Sequence, residues 1–173
     1  MFSVGDTVLY GTQGVCRIKE KIIKRVGKKT GEYFVLAPVA EKGSAVYIPT
    51  DNETLLGKMR RVLTSEEVDS IVTEAAMSPK DWIEDDNIRA EHCSEVIKSG
   101  DRAELLRIIC MLYLRREDLR AKKKHFHNAD EQFLKVAEKL FCDEMAYILG
   151  IAKSDVPEYI RQKADAVIAA HSL

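Results

Sequence analysis

Apolar Val4, Val8 and Tyr10 fall two or four residues apart, the period of a half-buried strand, and Gly5-Asp6 and Gly11 to Gly14 punctuate it. A strand that stops at a Gly-x-x-Gly turn and restarts opens many small β-barrels, and antiparallel hairpins in general share the pattern. The same grammar continues. Residues 14–26 read as a long strand, Lys28-Lys29-Thr30-Gly31 as a polar turn, and residues 32–39 as a strand with Tyr33, Val35 and Val39 on one parity. Glu41-Lys42-Gly43 turns the chain again, residues 44–49 form another strand, 51–57 a helical turn, and 58–63 a last strand that closes the sheet. Five short strands in so few residues predict an SH3-like or Tudor-like barrel, whose closure leaves little free edge.

From Thr64 onward the apolar spacing becomes helical. Thr64-Ser65-Glu66-Glu67 is a capping box, followed by Val68, Ile71, Val72 and Ala75 on one face. A loop with Ser78-Pro79 precedes a helix over about 86–98, which Gly100 ends in the left-handed conformation. Asp101 and Glu104 open a third helix. Its wide stripe of Leu105, Leu106, Ile108, Ile109, Leu112, Tyr113 and Leu119 predicts a central position, and it runs to near Lys124. Asn128 and Glu131 start a fourth that stops at Gly150, and Ser154 with Pro157 opens a last one to Ala170. The expected architecture is a five-stranded SH3/Tudor-like barrel over residues 1–63, then an all-helical domain of about five helices over 64–173.

Composition narrows the function classes. The apolar fraction of 46% supports real cores, and no apolar run reaches the roughly 18 residues of a membrane span. The first residues lack the charged and apolar regions of a signal peptide, so a cytoplasmic protein is expected. Cys16, Cys93, Cys110 and Cys142 show no CxxC spacing and read as buried reduced thiols. The net charge of −1 hides a segregation: residues 1–61 hold 11 Lys and Arg against 6 Asp and Glu, and residues 62–173 hold 16 against 22. The two halves face different partners. Neither His92-Cys93 nor His125-Phe126-His127 has further ligands at metal or nucleophile spacing, and no glycine run matches a nucleotide-binding frame. The expectation is a non-enzymatic protein without cofactor or metal.

Within the acidic half, residues 102–124 carry eight cations against three carboxylates. Arg116, Arg120 and Lys123 or Lys124 recur at three or four residues and so share one face, with Lys122 beside them, where they suit DNA phosphates. A solvated helix end whose cations complement the dipole accounts for the same pattern. Trp82, the single tryptophan, stands in the loop Ser78-Pro79-Lys80-Asp81-Trp82-Ile83-Glu84-Asp85-Asp86 and off any helical stripe. It is either an interdomain packing peg or a wedge between base steps.

Taken together, Val4-Gly5-Asp6-Thr7-Val8-Leu9-Tyr10 with Gly14, Glu32-Tyr33-Phe34-Val35-Leu36, Tyr47-Ile48-Pro49, Leu56-Gly57 and Arg60-Arg61-Val62 resemble the CarD/CdnL family of bacterial transcription regulators. Trp82, Arg89, Lys98-Ser99-Gly100-Asp101, Tyr113-Leu114-Arg115-Arg116 and Asn128-Ala129-Asp130-Glu131 follow in the family's order. The resemblance implies a Tudor-like domain docked on the RNA polymerase β subunit by its sheet edge. It also implies a helical domain that touches promoter DNA at the upstream edge of the bubble and stabilises the open complex. By matching position, Lys24, Arg25, Tyr47, Ile48 and Pro49 fall on the polymerase side, and Trp82, Arg89 and Asn128 on the DNA side. The chain departs from the family in Ile83-Glu84-Asp85-Asp86 after the tryptophan, where members carry basic residues and reach the Ser-Gly-Asp turn sooner, and in Tyr47, where members often carry arginine. A protein–protein adaptor without DNA contact is the alternative.

Overall fold

The computed structural model describes residues 2–27, 29–41 and 43–171. The chain forms two compact units, Met1–Leu63 and Thr64–Leu173.

The first unit is an antiparallel sheet of β1 (Thr7–Tyr10), β2 (Val15–Val26), β3 (Lys29–Pro38), β4 (Val46–Pro49) and β5 (Met59–Arg61), with one helical turn, α1 (Glu53–Leu56), between β4 and β5. Val8, Cys16, Ile18, Phe34, Leu36, Ile48 and Met59 form its core, and Phe2, Tyr10, Leu55 and Leu56 pack on them. The strand order is β4-β3-β2-β1-β5. The five strands are those the pattern predicts, but the sheet does not close as a barrel. Its last strands, of four and three residues, do not pair with each other, and both remain edges. The polar turn expected at 28–31 also moves: β3 starts at Lys29, because Val26 pairs with Lys29 across a two-residue connection. Gly27, at φ 63°, supplies the left-handed conformation such a connection requires. Residue 28 lies outside the described residues. Only the first half of β2 reaches the core. Beyond the bulge between Ile18 and Glu20, the β2–β3 hairpin projects with most of its β2 residues in solvent.

The second unit contains α2 (Ser65–Met77), α3 (Asp86–Ser99), α4 (Arg102–Ala121), α5 (Asn128–Leu149) and α6 (Val156–His171). The caps that mark these helices in the sequence are made. Thr64 Oγ1 accepts from the Glu67 N–H while Glu67 Oε2 accepts from the Thr64 N–H, and Asp101 Oδ1 accepts from the Glu104 N–H. Gly100 and Gly150 end α3 and α5 at φ 64°. Helix α4 packs on α2, α3 and α5, as its wide apolar stripe predicts. Val68, Val72, Cys93, Ile108, Leu112, Leu134, Met145 and Val156 fill the core. Two ion pairs join helices inside it. Arg89 of α3 meets Asp130 of α5, and Arg102 of α4 meets Glu144 of α5.

Two expectations change here. All four cysteines are free, but only Cys16 and Cys93 are buried; Cys142 is half-buried and Cys110 is exposed. Burial pushes the Cys16 and Cys93 thiols up to about 11. Helix α4 ends at Ala121, short of Lys124. The Lys124 N–H donates to Leu119 O at 2.8 Å and the Lys123 N–H to Arg120 O at 3.0 Å, a Schellman closure whose left-handed residue is Lys123, at φ 55°. Glycine is the usual occupant, so lysine stores strain at the end of the basic helix. Lys123→Gly is expected to stabilise the second unit by about 1 kcal/mol in urea melts, and an unchanged midpoint would show the strain is absent. Among the described residues, no helix is long and apolar enough to cross a membrane.

Candidate interaction surfaces

The β4 edge follows from hydrogen-bond alternation. The Thr50 N–H donates to Glu32 O at 2.9 Å, which makes the next pair, Tyr33 with Pro49, non-bonded, and the one after, Phe34 with Ile48, bonded. The backbones of Tyr47 and Pro49 therefore point away from β3. The outer side of β4 offers the Tyr47 N–H and C=O and the Pro49 C=O, and Pro49, having no N–H, limits pairing there to a short segment.

Side chains alternate in the same register. Ile22, Lys24, Tyr33, Val35, Tyr47 and Pro49 share the face opposite the core. Tyr47 is 43% exposed, and the Lys24 ammonium sits 4.0 Å from its ring centroid. That contact stabilises by roughly 0.5–1 kcal/mol at an exposed site and holds a positive charge beside an apolar ring. The five residues assigned to polymerase docking are thereby divided. Lys24, Tyr47 and Pro49 lie together on the outer face. Ile48 points into the core at 2% exposure, so its side chain is not available to a partner. Arg25 is on the core side of the projecting hairpin, where its Nε donates to Gly27 O at 3.2 Å.

In the helical unit, Trp82 is half-buried between two guanidinium groups. The Arg89 Cζ lies 4.3 Å and the Arg115 Cζ 5.0 Å from its ring centroid. The tryptophan ring thus packs against two arginines of its own unit. Arg89, matched to the DNA side in the sequence, is 2% exposed. Its Nε and Nη2 donate to Asp130 Oδ1 and Oδ2, each at 2.9 Å, and Nη2 also to Asp86 Oδ1 at 2.6 Å. Nη1 donates to Ile83 O at 2.7 Å and to Glu84 O at 3.4 Å. The hydrogen bond to Asp130 is the main influence raising Arg89 above its ordinary value, and the Arg89 hydrogen bond holds the Asp86 carboxyl below its own. Asp85 is also engaged: its Oδ1 accepts from the Asn87 and Ile88 N–H groups and caps α3. Of the four carboxylates around Trp82 in sequence, two therefore serve the local fold.

The basic helix end is smaller than its sequence count. Arg102 is engaged by Glu144, and Arg107 donates to Ser78 O, Glu74 and Glu104. Arg116 lies between Glu117 and Glu131 at 3.6 and 3.8 Å and over the Tyr113 ring at 5.2 Å. The Arg120 side chain is 81% exposed, with Glu117 at the limit of ion pairing. Lys122 pairs with Asp118 at 2.8 Å, while Lys123 and Lys124 occupy the exposed turn that follows. Arg120 and Lys122 to Lys124 are thus the accessible cations of the set. Asn128 is exposed in the first turn of α5, and its Oδ1 lies 3.3 Å from His125 Nε2. Among the described residues, no three His, Cys, Asp or Glu side chains group so as to hold a metal ion. Sequence reasoning missed Arg115 and Asp130, whose roles arise from partners 33 and 41 residues away in the chain.

Residues 2–63 match the model of one protein family, the CarD-like/TRCF RID domain. The match spans the sheet unit and carries a transcription-related, RNA polymerase-binding role for it, that of an interaction domain rather than a catalytic one. No curated protein matches the chain.

Proposed function

We propose that this chain, whose N-terminal unit belongs to the CarD-like/TRCF RID domain family, is a cytoplasmic transcription regulator that docks on the polymerase β subunit and contacts promoter DNA through its helical unit. The observation that carries the reading is the coincidence of that family match with an outward-facing β4 edge. Strand addition there supplies backbone hydrogen bonds, Tyr47 and Pro49 supply an apolar patch, and Lys24 steers the approach. In the helical unit, Arg120 and Lys122 to Lys124 meet phosphates at the upstream edge of the bubble, and Trp82 meets the minor groove. The open complex is then stabilised by contacts that melted DNA makes and closed duplex does not. Few phosphate-type contacts give weak, sequence-tolerant binding that tethering through the sheet unit makes effective.

Polymerase pull-down by the full chain tests the docking. Tyr47→Glu buries a charge at the centre of the patch and is expected to weaken binding by about 2 kcal/mol, near thirtyfold in Kd. Unchanged affinity would move the docking surface elsewhere. A second reading, in which the helical unit binds another protein instead of DNA, draws support from the carboxylates around Trp82 and the burial of Arg89. Duplex affinity that falls steeply with salt favours DNA; no measurable duplex binding at low salt favours the protein partner.

A further inference from the structure

We infer that Arg89 acts on DNA only through Trp82: it is a positioning residue that fixes the loop bearing the tryptophan, and it makes no phosphate or base contact of its own. The functional half of this inference rests on the proposed Trp82–DNA contact; the structural half rests on geometry.

A guanidinium has five N–H donors, and each of the five has an acceptor: two on Asp130, one on Asp86, and the carbonyls of Ile83 and Glu84. No donor remains for a phosphate. Turning the side chain outward would strand Asp130, which is 3% exposed, as a buried charge without its partner. What the arginine grips is informative. Ile83 and Glu84 directly follow Trp82, Asp86 begins α3, and Asp130 lies in the first turn of α5, where the helix dipole favours its charge. One planar group thus ties the tryptophan loop to two helix starts, while its carbon lies 4.3 Å from the ring centroid.

The second guanidinium is held far less firmly. Arg115 is 35% exposed, its nearest carboxylate is Asp118 at 3.9 Å, and its Nε is buried without a hydrogen-bond partner among the described residues. Arg89 therefore sets where the ring stands, and Arg115 is the neighbour that yields when the ring is engaged.

Trp82 is the only tryptophan, so its fluorescence reads this loop alone. In the full chain, Arg89→Lys keeps the charge but loses the fork. It is expected to red-shift the emission and raise acrylamide quenching toward that of the unfolded chain, with helical circular dichroism retained. Open-complex lifetime should fall toward that of Trp82→Ala, and the Arg89→Lys/Trp82→Ala double variant should be no shorter-lived than Trp82→Ala alone. Unchanged quenching would overturn the positioning role. A double variant shorter-lived than Trp82→Ala would reveal a DNA contact by Arg89 itself and overturn the inference. If Trp82→Ala leaves the lifetime unchanged, the functional half falls together with the DNA reading of Trp82, and the quenching still decides the structural half. Should Arg89→Lys fail to fold, Asp130→Asn, which keeps every donor of Arg89 and one of the two acceptor oxygens, is expected to raise quenching to a lesser degree; no rise would overturn the role.

Discussion

Asp130→Ala is expected to destabilise the helical unit by roughly 3–5 kcal/mol, the range for removing one partner of a buried ion pair. The loss comes less from the missing attraction than from what stays behind. Arg89 is 2% exposed and always charged, so without Asp130 it keeps a buried positive charge facing only Asp86, whose side chain is 71% exposed, and two carbonyls. Neutralising both partners with side chains of similar volume is a different experiment. Arg89→Met combined with Asp130→Leu leaves no orphaned charge and is expected to recover most of the stability. It would also free the loop carbonyls, so stability and Trp82 position should separate in that variant. Urea melts followed by helical circular dichroism measure the first quantity and Trp82 quenching the second. A single-variant loss under about 1 kcal/mol would mean that the guanidinium finds other partners or water, and that the pair is not the keystone its burial implies.

The parts of this fold that were legible in the sequence are those fixed by neighbours along the chain. Thr64 with Glu67, Asp101 with Glu104, and glycines 100 and 150 mark helix ends through interactions spanning three or four residues, and each lies where the pattern puts it. The end of α4, at Ala121 rather than near Lys124, is not legible in the sequence because its left-handed closing residue is Lys123, where the usual signal is glycine. Strand identity was legible for the same local reason, through alternation. Closure of the sheet was not, because it depends on whether β4 and β5, at opposite ends of the strand order, meet in space, which alternation along the chain does not fix. Arg89 illustrates the harder limit. The resemblance puts it on the DNA side as an expectation, yet Asp130, 41 residues away, holds its side chain buried, and nothing within one helical turn of Arg89 announces that partner. Local sequence marks where a residue stands along the chain but leaves what its side chain does to tertiary contacts.

The sharpest test of the sheet unit uses two adjacent residues. Tyr47 and Ile48 are neighbours in β4, and strand alternation places one on the outer face and the other in the core. Ile48→Ala is expected to cost about 2–5 kcal/mol, the range for truncating a large buried aliphatic side chain. A sheet unit of this size has little stability in reserve, so a loss of that order unfolds much of the population at 37 °C and abolishes polymerase binding as a consequence. Tyr47→Ala removes a ring that is 43% exposed and one weak cation–π contact with Lys24, and should leave the melting of the unit within about 1 kcal/mol of the parent. With the β4 edge as the proposed docking surface, its effect on polymerase binding should nonetheless be large, since the ring would then act in the complex and not in the fold. Melting curves and polymerase pull-down on both variants give a two-by-two outcome. Ile48→Ala losing both, with Tyr47→Ala losing binding alone, is the expected pattern. Ile48→Ala melting like the parent would contradict its place in the core, and Tyr47→Ala binding like the parent would remove the outer face of β4 from the docking surface.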